Sequence, residues 1–171
     1  HCDKGDEVIA HETSHVITSE GGGMAAFSGA MVRAVKGNRG HFTETTLNTA
    51  IRSPSRYKPR SKLIVLEQTT NYAGGTIWPL EQMQLVSKSA REAGLIVHMD
   101  GARLFNASVQ LGINANLFTA NCDTFWIDLT KGLGCPVGAV LLGSNEFIEE
   151  ARIWKQRLGG AMRQAGVLAG A

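Results

Sequence analysis

Two side chains of different chemistry, Asp100 and Lys131, each follow a short apolar segment that is typical of a buried strand. Asp100 follows the segment 95–99, and Lys131 lies between the apolar residues 125–127 and a glycine-rich stretch. In parallel sheets, ligands bind beyond the carboxyl ends of the strands, so polar residues at those ends are the first candidates for a site. The pair predicts a site for a cofactor that requires both an amine and a carboxylate.

Pyridoxal 5'-phosphate is a cofactor with these two requirements. A lysine attaches it as a Schiff base, and an acid keeps the pyridine nitrogen protonated so that the ring acts as an electron sink. Two simpler interpretations remain open. A solvated loop position is the usual situation of a lysine, and Asp100 and Arg103 could form an ion pair with a purely structural role.

Two further motifs resemble known sites but lack the required context. Residues 11–15 read His-Glu-Thr-Ser-His, the H-E-x-x-H pattern of zinc proteases, which requires a helix to place both histidines on one face. The segment follows an apolar strand, and the β-branched residues 16–18 are poor helix formers. We therefore expect no metal site there, only a junction of strand and loop.

The glycine-rich segment 132–138 reads G-x-G-x-x-x-G with a proline inside, and no helix signal follows it. Both features argue against a dinucleotide-binding loop.

The composition excludes several classes of protein. The 171 residues are 43% hydrophobic and 19% charged, with a net charge of +2, which is typical of a globular domain and not of a disordered chain. The sequence contains no apolar run of the roughly 18 residues that span a bilayer, and no basic excess that would favour nucleic acid or an anionic membrane. Three cysteines at distant positions favour a reducing, cytoplasmic setting.

Strand and helix signals alternate along the chain. Strands separated by helices of ten or more residues favour parallel pairing, so we expect an α/β fold with three layers and a mainly parallel sheet. Strands are predicted at 8–10, 31–35, 63–66, 95–99, 125–127 and 139–142, and helices at 24–27, 43–51, 79–93 and 145–157.

Three blocks of the sequence resemble the L-threonine aldolase family. They are HMDGARLFNA at 98–107, TKGLGCPVG at 130–138 and GGAMRQAG at 159–166. Residues 5–9 and 14–15, and residues 67–75, also resemble that family and occur in its order. The resemblance implies the large domain of a fold-type-I pyridoxal-phosphate enzyme. It also implies that residues 1–171 are part of that cofactor-binding domain, with 145–171 leading toward a small domain.

The resemblance further implies roles for individual residues. Lys131 would form the Schiff base with pyridoxal 5'-phosphate, Asp100 would pair with its pyridine nitrogen, and His15 would stack on its ring and relay a proton. Arg103 would bind the α-carboxylate of a small amino-acid substrate. Thr130 would lie near the cofactor phosphate.

The resemblance also implies an assembly. Arg163 would reach a phosphate across a subunit boundary, so the protein would be a homo-oligomer, a dimer or tetramer with shared active sites. The implied reaction is retro-aldol cleavage of L-β-hydroxy-α-amino acids to glycine and an aldehyde. A β-eliminating lyase with the same cofactor is the first alternative, and a non-catalytic α/β module is a more distant one.

One position departs from the family pattern. Familiar members have a histidine between the threonine and asparagine where this chain reads Thr69-Thr70-Asn71. That histidine is associated with the hydroxyl end of the substrate, and threonine does not titrate near neutral pH. We therefore expect Thr70 to contact the substrate, His15 or a water to accept the proton, and a β-aryl substrate such as phenylserine to be accepted beside threonine and allo-threonine.

Overall fold

A single six-stranded sheet forms the centre of the computed structural model, which describes residues 1–170. The strand order is β2-β1-β3-β4-β5-β6. All neighbouring pairs are parallel except β5 and β6, which are antiparallel. The strands are β1 Glu7–His11, β2 Met31–Val35, β3 Ser61–Glu67, β4 Ile96–Asp100, β5 Thr124–Asp128 and β6 Ala139–Leu142. This arrangement confirms the predicted α/β fold with a mainly parallel sheet.

The described part of the chain contains seven α-helices and one turn of π-helix, Met24–Ser28; five of the α-helices and the π-helix lie between strands, and the last two α-helices follow β6. The α-helices are α1 His15–Thr18, α2 Glu44–Ala50, α3 Leu80–Glu92, α4 Leu104–Leu111, α5 Asn116–Thr119, α6 Asn145–Arg157 and α7 Gly166–Ala169. Every strand and helix that the sequence predicts is present, with boundaries that differ by a few residues. Helices α1, α4, α5 and α7 were not predicted.

The expectation that residues 16–18 would not be helical is wrong. They belong to the single turn α1, although Val16, Ile17 and Thr18 are β-branched. The reason is tertiary: the backbone N–H of His15, at the start of the turn, donates to the Glu67 carboxylate over 2.7 Å. A charged acceptor at a helix N-terminus stabilises a turn that intrinsic propensity disfavours.

Hydrophobic residues cover both faces of the sheet, as three layers require. Successive side chains of a strand point to opposite faces. Ile64 and Leu66 of β3 accordingly pack under α2, α3, α4 and α5 in the larger core, while Leu63 and Val65 belong to a smaller cluster near α1. No helix within residues 1–170 is long and apolar enough to cross a membrane.

The parallel strands deliver four polar segments to one edge of the sheet. Glu67 and Asp100 are register partners at the ends of β3 and β4, and Asp128 ends β5 beside them. The segment 11–15 begins with His11, the last residue of β1, at the same edge. The chemistry of the molecule is concentrated at this edge.

Candidate active site

Asp100 is a buried carboxyl group at the end of β4, with 8% of its surface exposed. Its Oδ1 accepts the backbone N–H of Ala102 over 3.1 Å. Burial raises the pKa of Asp100 to about 6; the negative charge of Glu67 adds to the rise, and the Ala102 hydrogen bond, Lys131 and His15 oppose it. No ion pair to Asp100 is found among residues 1–170, so this buried acid lacks a contacting cation.

Lys131 lies in the turn after β5, at the edge where Asp100 ends β4. Its Nζ is 2.9 Å from Oδ2 of Asp128 and 5.4 Å from the centroid of the Trp126 ring. The structure therefore places Asp100 and Lys131 at neighbouring strand ends, as the sequence predicts, and close enough for the charge of Lys131 to lower the pKa of Asp100.

Asp128 organises the turn that carries Lys131. Its Oδ1 accepts the backbone N–H of Thr130 over 2.7 Å and the Thr130 hydroxyl over 2.6 Å. Hydrogen bonding by Thr130 lowers the pKa of Asp128 to about 2. Burial opposes this shift, and the hydrogen bond and charge of Lys131 lower the pKa further. Sequence reasoning assigned no role to Asp128, although an aspartate two residues before a threonine is a recognisable Asx-turn signal. The Thr130 hydroxyl is already bound to Asp128, so its contact with a phosphate stays a prediction.

His15 is held by Glu67, the last residue of β3, and by Asn71 in the loop that follows it. Its backbone N–H donates to Oε2 of Glu67, and Oε1 of Glu67 accepts the N–H of Asn71, each over 2.7 Å. The side-chain amide of Asn71 is 2.7 Å from Nε2 of His15, and the Tyr72 ring lies 5.4 Å from the imidazole, centroid to centroid. The sequence contained Glu67 and Asn71 among family-like residues but indicated neither contact.

Arg103 lies at the start of α4 and lines a cleft of about 640 Å³. Its backbone N–H donates to the carbonyl of Gln68 over 3.1 Å, while its guanidinium forms no salt bridge with the residues that the structure describes. A structural Asp100–Arg103 ion pair is therefore not present. The cleft is lined by Thr69, Gly75, Ile77, Arg103, Phe105, Asn106, Val109, Gln110, Gly132 and Leu133.

Thr70 is packed between two loops, with 3% of its surface exposed. Its hydroxyl contacts the Thr76 hydroxyl and lies 3.3 Å from the Arg39 carbonyl. A Cβ added at Gly40 would come within 2.6 Å of the Thr70 side chain, so backbone occupies the space beside it. The contact of Thr70 with a substrate stays a prediction.

Arg163 lies between α6 and α7 with an exposed side chain, and the structure does not bring it to the cluster at the sheet edge through any hydrogen bond or ion pair of the described residues. Its role across a subunit boundary stays a prediction.

The H-E-x-x-H segment crosses three kinds of structure. His11 is the last residue of β1, Glu12 and Thr13 form a turn, and His15 starts α1. Nδ1 of His11 accepts the backbone N–H of Thr13 over 3.2 Å. The prediction that this segment is not a regular helix is confirmed. No cluster of three or more metal-ligating side chains is found in residues 1–170.

The sequence is similar to those of known proteins over its whole length. Residues 1–171 match the family model described as beta-eliminating lyase. A relative from Arabidopsis thaliana, probable low-specificity L-threonine aldolase 2, is 42% identical over 175 residues, covering all of this chain and 49% of its own length. The low specificity L-threonine aldolase of Escherichia coli K12 is 36% identical over 172 residues, covering all of this chain and 51% of its own. The chain thus spans about half the length of these relatives.

Solved structures show the same likeness. A putative L-allo-threonine aldolase from Listeria monocytogenes superimposes with a TM-score of 0.79 at 27% identity, over 90% of this chain and 41% of the other. The threonine aldolase of Leishmania major gives a TM-score of 0.78 at 25% identity, over 91% of this chain and 45% of the other.

Proposed function

The chain belongs to the beta-eliminating lyase family, and on that premise we propose that it is the cofactor-binding part of a pyridoxal 5'-phosphate-dependent aldehyde-lyase. The reaction is retro-aldol cleavage of L-β-hydroxy-α-amino acids to glycine and an aldehyde. The observation that supports it best is a buried Asp100 carboxyl without a cationic partner in the described chain, with Lys131 at the neighbouring strand end near enough to lower its pKa. The names of the relatives favour aldol cleavage over β-elimination.

The residues at the sheet edge fit this cofactor. A protonated pyridine nitrogen would give Asp100 the cation that it lacks in the described chain, and burial would strengthen that pairing. Lys131 supplies a primary amine, and the Asp128 carboxylate, 2.9 Å away, pairs with it and holds it in place. The imidazole of His15 offers a flat, partly exposed face. We assign Thr130 and Arg163 to the phosphate on the basis of the resemblance.

Pyridoxal 5'-phosphate, when bound, withdraws electrons from the substrate α-carbon so that a bond to that carbon can break. Arg103 binds the substrate carboxylate through a two-pronged pair, which fixes the rotation about the α-carbon and selects the Cα–Cβ bond. Asp100 keeps the ring nitrogen protonated. Two acceptors are candidates for the β-hydroxyl proton: His15 and a water molecule.

A β-eliminating lyase is the second candidate, because the matching family model carries that description. The two reactions differ in their products. We expect L-threonine and L-allo-threonine to give glycine and acetaldehyde, and elimination would instead give a keto acid and ammonia. Product analysis of the purified protein with added pyridoxal 5'-phosphate decides between them. Formation of keto acid without glycine would overturn the aldolase assignment.

A β-aryl substrate is part of the proposal. The cleft beside Arg103 combines that cation with the apolar side chains of Ile77, Phe105, Val109 and Leu133. Such a lining suits an amino acid with a carboxylate and a hydrophobic β-substituent. We therefore expect phenylserine to be cleaved as well, with benzaldehyde as the product.

The proposed enzyme is a cytoplasmic homo-oligomer, a dimer or tetramer, in which residues 1–171 contribute part of the large domain and 145–171 lead toward a small one. Exposed hydrophobic side chains on α6 and the segment after it support an assembly contact: Ile153, Trp154, Leu158 and Met162 are each about half exposed. Three free cysteines support the reducing compartment.

A further inference from the structure

Glu67 links the two loops that meet at His15. The carboxylate is buried, with 6% of the residue exposed, and each of its oxygens accepts one backbone N–H: Oε2 from His15 and Oε1 from Asn71, both over 2.7 Å. Short bonds from backbone N–H groups to a charged acceptor are among the stronger hydrogen bonds in proteins. The backbone positions of His15 and Asn71 are therefore fixed relative to each other.

Asn71 uses this fixed position to contact the imidazole. Its Nδ2 lies 2.7 Å from Nε2 of His15, and because a side-chain amide nitrogen only donates, Nε2 must be the acceptor. In a neutral imidazole the other ring nitrogen then carries the proton.

Glu20 supplies independent support on the other side of the ring. Its Oε1 is 3.8 Å from Nδ1 of His15. A carboxylate stabilises a proton on Nδ1 and would repel a lone pair there. With the amide of Asn71 reversed, Nε2 would carry the proton and the Nδ1 lone pair would face Glu20. The two sides of the ring thus favour the same tautomer.

We propose that Glu67 and Asn71 are positioning residues that hold His15 as the Nδ1–H tautomer, with its ring fixed as a platform. The inference deepens the proposed function and rests on it for the identity of the group that stacks there. It has a chemical consequence, since neither ring nitrogen then offers a free lone pair. His15 orients the cofactor ring and does not accept the β-hydroxyl proton.

The test is the protonation pattern of the imidazole, measured by ¹⁵N–¹H correlation spectra of the histidine-labelled protein as isolated, with and without added pyridoxal 5'-phosphate. His15→Gln identifies the signals of His15 among those of the five histidines. We expect a protonated-type Nδ1 and an unprotonated-type Nε2. A proton on Nε2 in the parent protein would overturn the proposal.

Two variants examine Asn71 directly. Asn71→Asp replaces the donor with an acceptor, so Nε2 should gain a proton and its signal should move to the protonated type. Asn71→Ala removes the contact without introducing a charge, and the preference for Nδ1–H should fall. Asn116→Asp, which adds the same charge at an exposed position of α5, should leave the His15 signals unchanged. Unaltered His15 signals in both Asn71 variants would contradict the inference.

The readout separates this inference from the proposed function. The spectra without added cofactor or substrate report on the tautomer whatever the enzyme does. Absence of threonine and phenylserine cleavage would overturn the proposed function and leave the tautomer result standing. Cleavage by a protein whose His15 carries its proton on Nε2 would overturn the inference alone.

Discussion

Lys131 is the residue on which the proposed chemistry depends most directly. Lys131→Ala removes the amine that attaches the cofactor, so we expect loss of nearly all cleavage activity and of the covalent attachment. Borohydride reduction followed by peptide mass analysis should find the cofactor on the peptide containing Lys131 in the parent and on no peptide in the variant. Lys88→Ala, at an exposed position of α3, should behave as the parent. A Lys131→Ala protein that retained both properties would exclude the assignment.

Asp100 should make stability depend on pH. Its pKa in the folded protein is about 6 against an ordinary 3.8, so the folded state binds the proton more tightly than the unfolded state. The stabilising contribution is complete below about pH 4 and is lost as the pH rises through about 6, a total of about 3 kcal/mol. Asp100→Asn does not titrate. In the absence of cofactor, raising the pH from about 4 to about 8 should therefore destabilise the parent relative to Asp100→Asn, so the free energy of unfolding of the variant minus that of the parent should increase.

Urea unfolding of both proteins at the two pH values measures this difference. Asp100→Asn should nevertheless bind pyridoxal 5'-phosphate poorly, because a neutral amide does not stabilise a pyridinium. A parallel pH dependence of stability in the two proteins would show that the Asp100 carboxyl is not held in a desolvated site.

The placement of Asp100 and Lys131 at neighbouring strand ends could be predicted from the sequence because each follows an apolar strand, and such positions converge in a parallel sheet. The partners of these residues could not. Glu67 contacts His15 across 52 positions of sequence, and the contacts of Asp128 with Thr130 and Lys131 were not predicted either. Which oxygen meets which N–H depends on how the loops pack, and residue types and spacing do not encode that.

At the scale of elements, the four helices that were not predicted all lack a side-chain hydrogen bond at the N-cap. The N-cap residue of α4, Arg103, provides no side-chain hydrogen bond, whereas Thr43 and Ser144 cap the predicted helices α2 and α6. α4 forms because Leu104 and Ala107 bury one of its faces in the larger core. Burial against the core thus stabilises α4 in place of the N-cap side chain by which a helix start is recognised in a sequence.

The Glu67 carboxylate should stabilise the two loops that it joins. Glu67→Gln keeps the size of the side chain, but the NH₂ group of glutamine is a donor and cannot accept one of the two backbone N–H groups. Losing a hydrogen bond to a charged group costs roughly 1.5–3 kcal/mol, and relief of the repulsion with Asp100 offsets part of that. Urea unfolding should show lower stability, while Glu12→Gln, at an exposed turn residue, should match the parent. Equal stability of Glu67→Gln and the parent would remove the proposed link.

Gly101 determines how closely the ends of β4 and β5 approach. Its N–H donates to the Trp126 carbonyl over 3.0 Å, and an added Cβ would lie 2.5 Å from that oxygen. Gly101→Ala must therefore push the strands apart, at a cost of roughly 1–3 kcal/mol, and separate Asp100 from Lys131. We expect a lower midpoint of thermal unfolding and weaker cofactor binding. Gly166→Ala, where an added Cβ meets nothing within 4 Å, is the matched control, and similar behaviour of the two variants would refute the steric argument.

At the scale of the whole molecule, the alternation of strands and helices was enough to predict the fold class. It did not predict that β6 would be the outermost strand of the sheet and would run antiparallel to its neighbour β5. Only residues 129–138 separate these two strands, too few for a helical crossover. The chain therefore turns back on itself, and the connection that results carries Lys131.

Substrate choice depends on the cleft that the folded molecule forms between α4 and the turn after β5. A phenyl group placed there would lie against Phe105, Val109 and Leu133. The methyl group of threonine is too small to contact all three side chains. Burial of an aromatic ring contributes roughly 1.5–3 kcal/mol, so we expect kcat/KM for phenylserine to exceed that for threonine about 10- to 100-fold.

Leu133→Ser makes the lining of this cleft polar and should reduce the ratio of kcat/KM for phenylserine to that for threonine, whereas Leu117→Ser, at a similarly exposed leucine outside the cleft, should not. A parent that prefers threonine, or a ratio unaffected by Leu133→Ser, would mean that this cleft does not hold the β-substituent. The space near Thr70 would then have to do so, and Gly40 and Arg39 already occupy much of it.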